Sequence, residues 1–135
     1  MLTYLDSRVL IAAAKGNEAL SARAMAIISD PSRTFISSPF LRIETLHRTE
    51  YEGYQDQADF HRAFLSSAAV LYEDSQLAVS KAEEIAASDG VDALDAMHVA
   101  VAILASADEI ITTENITRPF YRASRLIAIR HLSTV

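Results

Sequence analysis

Cysteine is absent from this 135-residue chain, and glycine and proline occur only three times each. Without cysteine the protein cannot form a disulfide framework, a thiolate zinc site or a cysteine nucleophile. The scarcity of glycine and proline, together with a hydrophobic content of 50%, argues against a collagen-like repeat or disorder. A domain of this length buries roughly two-thirds of the surface that its unfolded chain exposes. We therefore expect one compact domain over residues 1–135.

Long apolar runs and a basic amino terminus are also missing. No segment reaches the roughly 18 consecutive apolar residues that span a bilayer. The first apolar segment ends at Asp6, so it lacks the basic start and the apolar run of a signal peptide. We expect no membrane partner, and the absence of cysteine is compatible with the reducing cytoplasm, where we expect the protein to act.

Positive charge is scarce overall but concentrated at one end of the chain. The 12 basic and 18 acidic residues give a net charge of −6, which at first disfavours a nucleic-acid partner. The last 20 residues nevertheless contain no acid and four arginines: Arg118, Arg122, Arg125 and Arg130. This group either contacts a phosphate backbone or is ordinary solvated charge. Because local charge and bound cations govern a site, the net charge does not exclude an RNA substrate.

Short β-favouring segments alternate with helical segments along the chain. Strands are predicted at 2–5, 34–36, 69–72, 109–112 and 126–129. Helices are predicted at 9–14, 18–29, 39–52, 56–67, 75–88 and 92–105, with a short helix or loop at 116–124. This alternation predicts an α/β fold, a three-layer sandwich with a central, mostly parallel five-stranded sheet flanked by helices.

The helix that follows the second strand has clear start signals. Ser38 suits the N-cap, and Pro39 suits the first helical position because its missing N–H is no loss there. We expect one face of this helix to carry the residues Phe40, Ile43, Leu46 and His47.

Four acidic residues lie where this fold would place its ligand crevice, at the carboxyl ends of the strands. Asp6 directly ends the first strand, and Glu114 lies two residues beyond the fourth. Glu44 is in the second turn of the helix after the second strand, and Asp95 is in the first turn of the most apolar helix. Converging carboxylates repel one another and raise their pKa values unless a cation lies among them. Oxygen ligands of this kind suit Mg²⁺ or Mn²⁺, which promote phosphodiester hydrolysis.

Each acid also has a purely structural interpretation. Asp6 suits the N-cap of a helix starting at Ser7, and Asp95 suits the partner of Asp92 in a capping box. Glu44 is otherwise an exposed helix residue, and Glu114 a turn residue. Asp95 is the hardest to explain this way, because its neighbours are apolar and an unpaired buried carboxylate is unfavourable.

Four segments in this order resemble the PIN-domain ribonucleases, and among them the VapC-like toxins of bacterial toxin–antitoxin pairs. They are Tyr4–Leu10, Ser37–Glu44, Leu94–Ala102 and Ile111–Glu114. The resemblance covers nearly the whole chain and implies a metal-dependent endoribonuclease. It assigns Asp6, Glu44 and Asp95 as ligands of Mg²⁺ or Mn²⁺, with Glu114 as the fourth acid. It also implies an RNA substrate, an antitoxin partner and a homodimer.

Two residues depart from the family pattern. Arg8 stands where the family often has a small polar residue, so it either holds substrate phosphate or weakens metal binding. Glu114 is one methylene longer than the usual Asp, and we expect it to reach the ion through water. These departures keep an alternative open, a catalytically weakened scaffold that serves as a nucleic-acid or protein binding module.

Other acidic-pocket folds match less well, and the histidines add little. A haloacid-dehalogenase phosphatase needs Asp-x-Asp after its first strand, where this chain has Arg8 in the second position. A receiver domain needs a lysine after its last strand, and the only lysines are Lys15 and Lys81. We expect His98 to be packed against a hydrogen-bond partner, and His61 carries no functional signal.

Overall fold

The computed structural model describes residues 1–135 and has a five-stranded sheet at its centre. The strands are β1 (Leu2–Leu5), β2 (Thr34–Ser37), β3 (Val70–Leu71), β4 (Glu109–Thr112) and β5 (Ala128–His131). Their order in the sheet is β3-β2-β1-β4-β5, and every neighbouring pair is parallel. The mostly parallel five-stranded sheet expected from the sequence is therefore confirmed, with all of its strands parallel.

Six α-helices connect and cover the strands. They are α1 (Ser7–Lys15), α2 (Ser21–Ile28), α3 (Pro39–Glu52), α4 (Gln55–Ser67), α5 (Ser75–Asp89) and α6 (Ala93–Leu104). Two 3₁₀ segments follow β4 and β5, at Pro119–Arg125 and Leu132–Thr134. None of the helices combines the length and the apolar character that crossing a bilayer requires.

Side chains of the central strands alternate between two hydrophobic cores, which makes the fold three-layered. Tyr4 of β1 and Ile110 of β4 pack in the core that includes α5 and α6. Their neighbours Leu5 and Ile111 point to the opposite face and pack in the core that includes α1 and α4. A strand buried on both faces shows a continuous apolar run, which is the pattern that predicted these two strands.

The start of α3 is as predicted and fixes the position of the residues that follow. Ser38 is the N-cap, and its hydroxyl accepts a hydrogen bond from the backbone N–H of Leu41 at 3.2 Å. Pro39 is the first helical residue. Glu44 consequently lies in the second turn, on the side of α3 that faces the carboxyl edge of the sheet.

The predicted apolar face of α3 is wrong. Ile43 is 65% exposed, and His47 is also exposed. The buried face carries Leu41, Leu46 and two threonines, Thr45 and Thr49. The threonine hydroxyls donate hydrogen bonds to backbone carbonyls one turn earlier, at 2.8 Å for Thr45 and 3.1 Å for Thr49. Because these bonds satisfy the hydroxyls, polar residues can occupy a buried face that hydrophobicity alone does not reveal.

Two strand boundaries also differ from the prediction. The fifth strand begins at Ala128, two residues later than expected, because the chain first completes a 3₁₀ segment. The third strand is only the pair Val70–Leu71, at the edge of the sheet, where a short strand suffices to pair with β2.

Candidate acidic site

The carboxyl end of β1 is tied to the carboxyl end of β4. The backbone N–H of Asp6 donates to the carbonyl of Ile111 at 3.0 Å. The Thr112 hydroxyl donates to Asp6 Oδ2 at 2.8 Å and accepts from the backbone N–H of Glu114 at 3.0 Å. These bonds bring Asp6 and Glu114, which are 108 positions apart in the sequence, to the same crevice.

Arg8 lies among three of the four acids that the sequence singled out. Its Nη1 is 2.7 Å from Asp6 Oδ2, and its Nη2 is 3.1 Å from Glu114 Oε2 and 3.7 Å from Asp95 Oδ1. The carboxyl of Asp6 is 1% exposed, whereas the arginine side chain is 40% exposed. Three carboxylates therefore share one guanidinium. When all three are ionised, the group has an excess of negative charge.

The fourth acid, Glu44, has a different partner. Its carboxylate bonds to Nε2 of His98, and Nδ1 of the same ring bonds to the Tyr4 hydroxyl. A carboxylate only accepts hydrogen bonds, so Nε2 carries a proton and donates a hydrogen bond to Glu44. Burial raises the pKa of Tyr4, which keeps its hydroxyl protonated. The expectation that His98 is a packed residue with a hydrogen-bond partner is confirmed.

The environment of Glu44 favours its ionised form. Burial alone raises the pKa of a carboxyl group, but the hydrogen bond and charge of His98 lower it further than burial raises it. Ser7 and Arg8 add smaller contributions in the same direction, so the pKa of Glu44 is lowered. Glu44 is thus held as an oriented carboxylate at neutral pH.

The environment of Asp95 has the opposite effect. Burial raises the pKa of Asp95, and the charges of Asp6 and Glu114 raise it further, against the attraction of Arg8 and His98. The net result is a raised pKa, to which burial makes the largest contribution. A further cation near this carboxylate would lower its pKa.

The N-cap position of Asp6 is confirmed, but the capping box of Asp95 with Asp92 does not form. Asp6 and Asp92 occupy N-cap positions, but neither side chain accepts a backbone hydrogen bond. Asp6 instead accepts from Arg8 and Thr112. Asp95 lies against Arg8 rather than in a capping box. Asp6 and Asp95 are therefore both directed towards Arg8 and do not cap a helix with their side chains.

One residue that sequence reasoning did not connect to the site is Tyr4. In the sequence Tyr4 is one residue of an apolar strand. In the structure its buried hydroxyl bonds to His98, the residue that bonds to Glu44. Spacing carried part of this signal, because His98 follows Asp95 by three positions and thus lies on the same side of α6.

The carboxyl-terminal arginines are mostly engaged away from Glu114. Arg125 Nη2 is 2.7 Å from Asp89 Oδ1, and Arg122 Nη1 donates to the Gly90 carbonyl at 3.2 Å. Gly90 has a φ of 67°, and a Cβ there would lie 2.6 Å from Arg122 Nη1. These two arginines thus pack against the turn between α5 and α6.

Arg130 pairs with Ile111 near the carboxyl end of β4, but its side chain extends towards the amino end of that strand. Its Nη1 is 3.1 Å from Oε1 of Glu109, the first residue of β4. The prediction of a phosphate contact near Glu114 is therefore wrong for Arg130, because its guanidinium bonds to Glu109 instead. Arg118 is the one member of the group whose side chain is exposed without an ion pair or hydrogen bond.

The acids have the ligand chemistry of a divalent cation site, with Arg8 in the place of the cation. Their donors are carboxylate oxygens, which suit Mg²⁺ and Mn²⁺. In the present arrangement no three acidic or histidine side chains converge closely enough to hold an ion. The residues therefore fit a metal in chemistry, and the Arg8 side chain must turn out of the group before a metal can enter.

Known structures with a similar fold include three from bacterial toxin–antitoxin systems. A chain of the VapBC2 structure from Rickettsia felis, bound to a promoter DNA fragment, has a TM-score of 0.69 at 15% identity, covering 97% of this chain and 98% of that one. VapC20 of Mycobacterium tuberculosis, a sarcin–ricin loop cleaving toxin, has a TM-score of 0.63 at 18% identity, with 80% and 86% covered. A toxin–antitoxin complex from Klebsiella pneumoniae has a TM-score of 0.63 at 19% identity, with 85% and 88% covered. At these identities the likeness establishes the fold.

No curated protein sequence matches the chain. The sequence model of the PIN domain does match, over residues 3–126. This range contains β1 except for Leu2, β2 to β4 and all four acids. The match extends over most of the chain, and the protein therefore belongs to the PIN domain family.

Proposed function

We propose that the protein is a metal-dependent endoribonuclease that hydrolyses RNA phosphodiester bonds, as the toxin of a toxin–antitoxin pair. The observation that carries this proposal is the group of three carboxylates that share the single guanidinium of Arg8. A structural cluster would balance its charges, whereas a site for a divalent ion and a phosphate needs uncompensated carboxylates. The toxin that cleaves the sarcin–ricin loop has the same fold, which supports RNA as the substrate.

In this proposal Asp6, Glu44 and Asp95 hold Mg²⁺ or Mn²⁺, and Glu114 acts through a water molecule. The bound ion would supply a water of lowered pKa and neutralise charge on the phosphate. Glu44 is presented by His98, so its carboxylate keeps one orientation. The Arg8 side chain turns from the acids to the substrate phosphate. Its guanidinium keeps charge-assisted hydrogen bonds, because phosphate oxygens replace the carboxylate oxygens as acceptors.

The partners that we propose are an RNA substrate, a cognate antitoxin and a second copy of the chain in a homodimer. Two of the similar structures are toxin–antitoxin assemblies, which supports the antitoxin. The place of action that we propose is the cytoplasm, where an RNA substrate is found.

The position of Arg8 also favours a second candidate function. If the guanidinium permanently neutralises Asp6, Asp95 and Glu114, the protein is a PIN-fold scaffold that binds nucleic acid or protein without efficient catalysis. Calorimetry with Mn²⁺ separates the two candidates. Binding between micromolar and millimolar concentrations supports the nuclease, and no binding in this range supports the scaffold.

Cleavage of end-labelled single-stranded RNA tests the proposed function directly. We expect cleavage in Mg²⁺ or Mn²⁺ that stops on chelation, and a loss of at least about a hundredfold in Asp6→Asn and Asp95→Asn, because each removes a ligand charge. Asp56→Asn, at an exposed acid on α4, is the matched control and should cleave normally. Circular dichroism checks that each variant is folded. Unchanged metal-dependent cleavage in both site variants would refute the assignment.

A further inference from the structure

A second concave surface adjoins the acidic site. It is a cavity of about 300 Å³ between α1, α3 and α4, which we call the basic groove. Ser7, Arg8 and Glu44 line the groove and also belong to the acidic site or contact it. A chain that passes through the acidic site can therefore continue into the groove without leaving the protein surface.

The charge of the groove is opposite to that of the whole protein. Arg8, Lys15 and Arg48 line it, and Glu44 is its only acid. Arg48 forms no ion pair and no side-chain hydrogen bond with the rest of the protein. Lys15 contacts only Glu18, at 3.3 Å in an exposed pair, which is a weak and easily replaced interaction. On a chain with a net charge of −6, Lys15 and Arg48 supply positive charge to the groove, and Glu18 and Glu52 line the adjoining pocket beside them.

A buried histidine with an unpaired ring nitrogen lies at the base of the groove. His61 of α4 lines the groove, is 1% exposed, and its Nδ1 has no hydrogen-bond partner. Burial lowers the pKa of His61 to about 4, so the ring is neutral at physiological pH. A buried nitrogen without a partner is unfavourable, and a ligand gains binding energy by supplying one if the His61 ring turns to present Nδ1 to the groove. Nucleobase edges and ribose hydroxyls supply such partners, and water does so only at the cost of being immobilised.

The rim of the groove carries an aromatic ring. Tyr54 lines the groove, is 48% exposed and belongs to neither hydrophobic core. Exposed aromatic rings beside cations are the usual platforms on which single-stranded bases stack. The groove thus combines phosphate-binding charge, a stacking surface and an unpaired polar atom.

We propose that the basic groove binds the RNA nucleotide that adjoins the scissile phosphate, with Arg48 and Lys15 on its phosphate and His61 facing its base or ribose. The proposal rests on the proposed ribonuclease function, because that function places an RNA chain at the neighbouring acids. The competing occupant is an acidic segment of a protein partner. RNA is favoured because the groove opens directly into the acidic site and because His61 and Tyr54 add features that suit a nucleotide.

Binding measurements in the absence of metal test the groove independently of catalysis. Fluorescence anisotropy with a labelled single-stranded RNA hexamer compares Arg48→Gln and Lys15→Gln with the wild type. Each variant should bind about 5–10-fold more weakly, and the slope of log K against log salt should fall by about 0.7 for each lost phosphate contact. Arg23→Gln, at an exposed arginine on α2 without an ion pair, is the matched control and should bind like the wild type.

Cleavage of two substrates separates the groove from the acidic site. Bis(p-nitrophenyl) phosphate has a phosphodiester but no adjoining nucleotide, so both groove variants should cleave it at the wild-type rate. On RNA the same variants should show a KM raised about 5–10-fold with little change in kcat. A loss on both substrates would place these residues in the acidic site and overturn the proposal.

The outcomes for the groove and for the nuclease are distinguishable. If both groove variants bind the RNA hexamer like Arg23→Gln, the groove proposal is wrong whether or not the protein cleaves RNA. If they bind RNA normally but lose binding of a labelled hexaglutamate peptide, the groove belongs to a protein partner instead. A wild type that cleaves neither substrate refutes the nuclease, while the anisotropy result still decides whether the groove binds RNA.

Discussion

The two ends of β4 each carry buried acids, and they differ in how the charges are balanced. At the amino end, Glu109 is 3% exposed and is bonded by Arg33, Arg130 and the Thr3 hydroxyl. One carboxylate there has two guanidinium partners. At the carboxyl end the ratio is reversed, because three carboxylates share the guanidinium of Arg8.

This difference shows that the balance of charge distinguishes the proposed site from the other end of the sheet, whereas burial does not. Asp6 and Glu109 are almost equally buried, at 1% and 3% exposed. The group around Glu109 is complete and stabilises the fold. The group around Asp6 has three carboxylates for one guanidinium, and burial together with the charges of Asp6 and Glu114 raises the pKa of Asp95.

The largest stability effect should come from the balanced end. Glu109→Gln removes the buried counter-charge of Arg33 and Arg130, leaving Arg33 only its pair with Asp30, and we expect it to destabilise the protein by about 3 kcal/mol. The measurement is urea unfolding at pH 7. Glu18→Gln removes an exposed pair with Lys15 and serves as the control, with an expected change under about 1 kcal/mol. Equal effects of the two changes would remove the distinction between the ends of β4.

His61 tests the effect of burial on a pKa without a contribution from neighbouring charges. Its pKa is lowered from 6.5 to about 4 by burial alone. A folded pKa below the unfolded value gives stability that is complete above about pH 6.5 and is lost as the pH falls towards 4. We expect up to about 3 kcal/mol to be lost in this window, and His61→Leu should lose less.

The control for His61 is His47→Asn, because His47 is exposed on α3. That variant should keep the same loss of stability between pH 6.5 and 4 as the wild type. If His61→Leu and the wild type have parallel curves of unfolding free energy against pH, His61 is not the buried group responsible.

Glu44 is the acid at the carboxyl end that forms no ion pair with Arg8. Its partner His98 is held by the buried hydroxyl of Tyr4, which a substitution can remove. Tyr4→Phe removes the hydroxyl that bonds Nδ1 of His98. The nitrogen is left buried without a partner, which should reduce stability by about 1–2 kcal/mol. Thermal unfolding of Tyr4→Phe against Tyr51→Phe, at a tyrosine that is 89% exposed, provides the comparison. A change in both variants of the same size would exclude a role for the Tyr4–His98 bond.

The smallest expected change in the free energy of unfolding is a gain, from a substitution at Asp95. The pKa of Asp95 is raised in the folded state, so its ionised form reduces stability above that pKa, and the reduction disappears as the pH falls below the unfolded value. Asp95→Asn should therefore be more stable than the wild type at pH 7 in a chelator by about 0.5–1 kcal/mol, allowing for solvent around the carboxyl.

The gain of Asp95→Asn should vanish below about pH 4, where Asp95 is protonated in both states. Asp92→Asn on the same helix is the control, because Asp92 makes no side-chain cap bond. A loss of stability at pH 7 in Asp95→Asn would mean that Arg8 compensates the group after all.

The sequence predicted the sheet and the positions of most acids because both follow from local signals. Asp6 and Glu114 come directly after apolar strands, and parallel strands bring their carboxyl ends to one edge. Asp95 follows from the first turn of an apolar helix. The errors on α3 arose where threonines occupy a buried face through backbone hydrogen bonds.

What the sequence could not predict are contacts between distant, flexible or partly polar side chains. Arg8 was identified as a departure from the family pattern, but its contact with three acids depends on the tertiary arrangement of three elements. Glu109 had no signal, because a single charged residue at the start of a strand does not show that Arg33 and Arg130 will surround it. The bond between Tyr4 and His98 joins residues 94 positions apart.

The most direct test of the central claim is a Mn²⁺ titration by calorimetry of the wild type, Arg8→Gln and Asp6→Asn. The account predicts binding to the wild type between micromolar and millimolar concentrations, and binding at least about tenfold tighter in Arg8→Gln, since the ion no longer competes with the guanidinium. Asp6→Asn should bind much more weakly than either. Equal affinity in the wild type and Arg8→Gln, or no binding in both, would contradict the claim that Arg8 occupies the place of a cation.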